Sequence, residues 1–201
     1  MSTLTSASAV KPAALASEQA EWRQPLFWML SGFSLPIGGF VANLAVGSVD
    51  DALSGALAGA MAGTALGTAQ WLALRGRIRN AGWWVPATAL GFAAGLAAGT
   101  AIVGAGTRGS DLIISGAITG AVIGCAQFLV LRDSGRNALF WIPVMCASWA
   151  IGWAVTWAAR IDVDEGWSNF GAAGVVVFGI LTALTLFAAP GILRRQNSEV
   201  A

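Results

Sequence analysis

Apolar residues gather along this chain in six runs, near 25–47, 52–74, 83–104, 112–131, 138–159 and 170–190, parted by short polar segments. Each run is close to the ~20 residues that carry a helix across ~30 Å of hydrocarbon. None alternates apolar with polar positions. All are rich in Ala and Gly, and all are too long for the strands of a membrane barrel. The pattern predicts an all-α integral membrane protein with six transmembrane helices.

The runs pair into three similar hairpins, about 25–75, 82–132 and 138–190. The first helix of each opens on a tryptophan: Trp28, Trp84 and Trp141, spaced 56 and 57 residues apart. Such openings read as interface anchors, with the indole ring in hydrocarbon and its N–H among headgroups. Pro86 and Pro143 fall in the first helical turn, where a missing N–H costs nothing. Eleven residues after each tryptophan comes a glycine: Gly39, Gly95 and Gly152. Pro36, flanked by Gly32, Gly38 and Gly39, predicts a kink in the first span.

The second helix of each hairpin carries glycines near every fourth residue. They are Gly55, Gly59, Gly63 and Gly67, then Gly116, Gly120 and Gly124, and more weakly Gly171, Gly174 and Gly179. Gly91, Gly95 and Gly99 continue the theme on the third span. Small residues at this spacing let helix backbones approach closely in lipid. Two of these helices end alike, on Gln70-Trp71-Leu72-Ala73-Leu74-Arg75 and Gln127-Phe128-Leu129-Val130-Leu131-Arg132. In the third, Thr182 and Phe187 stand where Gln and Arg would be, which argues against a symmetric glutamine ring around a pore.

Composition agrees with burial in lipid. Hydrophobic residues make up 56% of the chain, charged residues 10%, and the mean hydropathy is +0.70. A soluble domain carries about 25% charged residues. Nine Lys and Arg residues (Lys11, Arg23, Arg75, Arg77, Arg79, Arg132, Arg136, Arg194, Arg195) lie at one set of span ends, against Arg108 and Arg160 at the other. The second set also holds Asp50, Asp51, Asp111, Asp162, Asp164 and Glu165. The bias puts both termini in the cytoplasm, with Arg75 and Arg132 as charged anchors. Residues 1–24 are expected to form a mobile tail, without the apolar core of a cleaved signal. Residues 25–193 form one membrane domain, and 194–201 a second tail. No basic, aromatic-interleaved stripe suggests nucleic acid.

The chain has no His and no Tyr, and no charge falls clearly inside a run. Proton relays and intramembrane catalysis usually need an ionisable group at depth, so no catalytic residue is assigned. Haem and zinc need His or clustered Cys, so no metal site is assigned and no cofactor is identified. Gln70, Gln127 and Asn43 are the polar candidates within the spans, for a ligand or for interhelical hydrogen bonds. Trp149, Trp153 and Trp157 form a stripe at four-residue spacing, readable as a face for a pigment, quinone or lipid tail, or as packing against glycine. Cys125 and Cys146 read as inert small residues in a reducing setting. The acids of 160–168 read as a solvated loop.

The phrase Gly-x-x-x-Gly-x-x-Gln-[Trp/Phe]-Leu-x-Leu-Arg, followed after a basic loop by paired aromatics, occurs at Gly63–Arg75 with Trp83-Trp84 and at Gly120–Arg132 with Phe140-Trp141. In these residues, over roughly 50–160, the chain resembles a group of small bacterial multi-pass membrane proteins. The resemblance implies a topology and a bacterial inner membrane, and lends no activity. The first expectation is therefore a non-enzymatic scaffold or accessory subunit, acting through lipid, another membrane protein or its own copies. The alternatives are a small facilitative transporter or channel, and a binder of a hydrophobic pigment, quinone or lipid.

Overall fold

A computed structural model of the protein describes residues 23–135, 137–161, 171–188 and 192. Among these it is all-helical. Helix α1 (residues 23–31) runs through a break into α2 (Ser34–Val46). Then follow α3 (Ala52–Leu74), α4 (Trp84–Val103), α5 (Gly109–Leu131), α6 (Trp141–Ala158) and α7 (Gly171–Ala183), which continues as a π-helical turn over Leu184–Ala188. Five helical stretches are long and apolar enough to cross a membrane: Arg23–Val46, Ala52–Leu74, Ala81–Val103, Gly109–Leu131 and Ala138–Ala158. Ala173–Ala188 is apolar but shorter. The two tails, Arg136 and the acidic segment with Asp162, Asp164 and Glu165 lie outside the described residues, apart from Arg23 and Gln24.

Local chemistry explains the ends. Asp51 caps α3: its carboxylate accepts the Ser54 backbone N–H at 2.8 Å, while the Ser54 hydroxyl accepts the Asp51 N–H at 3.0 Å. The Ser54 backbone N–H holds this carboxyl below its ordinary pKa. Gly47 and Gly104 end α2 and α4 at φ +80° and +68°, a region costly for residues with a Cβ. Short 3₁₀ turns, Ala81–Trp83 and Ala138–Phe140, lead into α4 and α6, so Trp84 and Trp141 are the first α-helical residues. Helix α5 starts before the expected 112, bringing Asp111 into its first turn, where it pairs with Arg108 at 3.4 Å.

The kink expected at Pro36 is expressed one turn earlier. Proline has no N–H for the Gly32 carbonyl, and its ring crowds that oxygen. Gly32 O is taken instead by the Leu35 N–H at 3.0 Å, and the Gly32 and Phe33 N–H groups bond three residues back. This tightening removes one residue from the register. Gly38, not Gly39, thus faces a neighbouring helix, as Gly95 does. A Cβ on Gly38 would stand 3.0 Å from Ala62 Cα, whereas one on Gly39 would meet nothing within 4 Å.

The helices close into a ring in chain order, and a glycine sits at each seam. A Cβ on Gly59 would lie 2.7 Å from Phe92 O, on Gly95 2.8 Å from Thr119 Cα, and on Gly124 3.0 Å from Ile142 Cα. At the α6–α7 seam a Cβ on Gly174 would lie 2.7 Å from Gly152 O, and at the closing seam one on Gly179 would lie 3.3 Å from Met29 Cα. Even one methyl group would push such neighbours apart. The outer surface exposes large apolar side chains, among them Phe27, Ile37, Leu44, Trp83, Leu90 and Phe140.

Candidate functional site: a plugged axis beneath a one-ended vestibule

Trp28, Trp84 and Trp141 are at most 1% exposed and meet at the centre of the ring. Their ring centroids are 5.9, 6.0 and 6.3 Å apart. This corrects the interface-anchor expectation, which placed each indole N–H among headgroups. Each N–H instead donates to a side chain of the helix before it around the ring. Trp84 Nε1 donates to Gln70 Oε1 at 2.9 Å, Trp141 Nε1 to Gln127 Oε1 at 2.8 Å, and Trp28 Nε1 to Thr182 Oγ1 at 2.9 Å. The preceding aromatics, Phe27, Trp83 and Phe140, face outward. The exposed aromatic is thus the residue before each tryptophan.

Thr182 therefore does not break the polar layer; it supplies the third acceptor. Gln70 and Gln127 are fully buried. Gln127 Nε2 also donates to Thr88 Oγ1 at 2.9 Å and reaches Gln70 Oε1 at 3.4 Å. Thr88 lies four residues after Trp84. The residue four after Trp28 is Gly32, which has no side-chain oxygen, and Gln70 Nε2 is left buried without a partner. One helical turn to either side lie Leu66, Ile123 and Phe178, and Leu74, Leu131 and Leu186, all at most 1% exposed. The axis is thus filled by a hydrogen-bonded layer between two apolar layers. Arg75 and Arg132 are exposed at the adjoining helix ends, Arg132 beside Asp133 at 4.0 Å. Arg77 lies over the Phe187 ring at 5.6 Å.

Beyond the plug, toward the end marked by Asp50, Asp51 and Asp111, the ring encloses a cavity of about 370 Å³. Leu35, Phe92 and Trp149 line its depth, with the Phe92 and Trp149 rings edge-to-face at 4.9 Å and Trp149 against Phe178 at 5.5 Å. Its walls include Asn43, Trp153, Thr100, Ser115 and Thr119, and its mouth Gly47–Asp50 and Ala105–Thr107. Thr119 is 1% exposed, and its hydroxyl has no hydrogen-bond partner.

The sequence candidates fall into three places. Gln70 and Gln127 meet in the plug. Asn43, Trp149 and Trp153 meet in the cavity wall. Trp157 is 57% exposed and covers Gly109. The tryptophan stripe is not one face, because each four-residue step turns the face by ~40°. Sequence reasoning missed Thr88, Phe92, Thr100, Ser115, Thr119 and Asp50. Phe92 and Trp149 both fall eight residues after their tryptophans, and that shared offset could have pointed to Phe92. Among the described residues no group of His, Cys, Asp or Glu is placed to hold a metal, and Cys125 and Cys146 are free thiols. Compared with protein families, with curated proteins and with solved structures, the chain matches none.

Proposed function

We propose that this is a non-enzymatic membrane protein that holds a small ligand in its vestibule and does not pass solutes along its axis. In this reading it crosses a bacterial inner membrane six times as three repeated hairpins, with both termini and the arginine-rich end in the cytoplasm. It acts as an accessory subunit, alone or beside other membrane proteins, whose ligand is reached from the opposite face. The carrying observation is the one-ended cavity. A volume of about 370 Å³ lies in the small-molecule range, with mostly apolar walls and a few converging polar groups. The Trp–Gln–Thr layer and its flanking leucines leave no route to the arginine end. The nine-to-two division of Lys and Arg supports the orientation, and the matching Trp–acceptor pairs support the repeats.

Native mass spectrometry of the full chain after gentle extraction, together with flux measurements in proteoliposomes, tests this. The wild type is expected to retain a small molecule that Leu96→Trp, which fills the vestibule, releases. Neither protein is expected to conduct. Flux through the wild type, or a retained molecule that Leu96→Trp leaves in place, would overturn the reading.

A further inference from the structure

We infer that the vestibule takes a compact organic cation with an apolar or aromatic body. The inference rests on the ligand-holding reading above and adds the ligand's chemistry.

Size comes first. About 370 Å³ is at the small end of ligand cavities. It is too small for a whole diacyl lipid or a long polyene. Charge comes next. Among the described residues, Asp50 is the one ionisable side chain in the lining, and it stands exposed at the mouth. No Lys or Arg lines the cavity. The nearby Arg108 side chain is 88% exposed and paired with Asp111. An entering anion would meet a carboxylate with no compensating cation, whereas a cation is drawn in, and low-dielectric walls strengthen that attraction.

The interior suits the same ligand. Phe92, Trp149 and Trp153 contribute aromatic rings, which attract organic cations through their quadrupoles. Ser115 adds a half-buried hydroxyl to the wall. Its oxygen can accept from the polarised C–H or N–H groups around a cationic nitrogen.

The test uses the full chain in a non-ionic detergent at low salt, with calorimetric titration. Benzyltrimethylammonium is compared with neopentylbenzene, its neutral carbon isostere, and with benzenesulfonate. The cation is expected to bind saturably and roughly ten-fold more tightly than the isostere, with the anion weakest. Asp50→Asn is expected to weaken it about three- to ten-fold, an effect that shrinks at high salt. Trp153→Leu is expected to weaken it about ten-fold, with Trp153→Phe recovering most of the loss. Should Trp153→Leu not fold, the ligand comparison and Asp50→Asn still decide. If the isostere or the anion binds as tightly as the cation, the cation inference fails while the ligand-holding reading stands. If none binds saturably while Leu96→Trp still releases a retained molecule, the cation inference fails alone; if no molecule is retained either, both fail.

Discussion

At the residue scale, two chemically identical side chains occupy unequal positions. Gln127 accepts from Trp141 and donates to Thr88, so both ends of its amide are used. Gln70 accepts from Trp84 but carries a buried, unpartnered Nε2. Replacing Gln127 with Leu strands the Trp141 N–H and removes the Thr88 bond. Replacing Gln70 strands one N–H but also removes an unsatisfied donor. Unfolding in mixed micelles should show Gln127→Leu destabilised by about 2 kcal/mol and Gln70→Leu by about half as much. Equal losses would contradict the hydrogen-bond arrangement. The sequence pointed to both glutamines, because a polar residue in an apolar run stands out. It did not reveal their tryptophan partners, because an indole beside Arg-rich loops suits a headgroup layer as well as a bundle core.

At the element scale, the long apolar stretches were legible from length and hydropathy, since the hydrocarbon thickness sets them. Which face turns inward was not. A helix that packs on helices on one side and lipid on the other is apolar all round, so Trp83 and Trp84 look alike in sequence although one is 68% exposed and the other buried. Register was also hidden in the first helix. Pro36 shortens the turn before it, and this made Gly39 rather than Gly38 appear in line with Gly95 and Gly152. The two glycines give a direct check by thermal unfolding. Gly38→Ala forces a methyl group to 2.9 Å from Ala65 Cβ and should cost about 1–3 kcal/mol. Gly39→Ala has open space and should be neutral, or stabilising by up to about 1 kcal/mol through helix propensity. The reverse order would restore the uninterrupted register.

At the scale of the whole molecule, close seams and an open interior coexist because glycine is spent on the seams. Backbones touch around the ring, yet the ring's centre is filled only where large side chains converge. Near the arginine end those are three tryptophans with their Gln and Thr acceptors. Near the acidic end the ring positions carry Ala42, Ala58, Thr100 and Ser115, which are too small to meet, and the vestibule remains. The glycine spacing pointed to close packing, but nothing in it pointed to the cavity, which depends on which small residues face each other across the axis. The central claim is an axis open from one end and plugged at the other. Cysteine accessibility tests it most directly. With Cys125 and Cys146 replaced by alanine, Ala58→Cys in sealed, oriented membranes is challenged with a membrane-impermeant cationic thiol reagent from each side in turn. The account predicts labelling from the side of Asp50 and Asp111 and none from the side of Arg75 and Arg132. Labelling from the arginine side would contradict it.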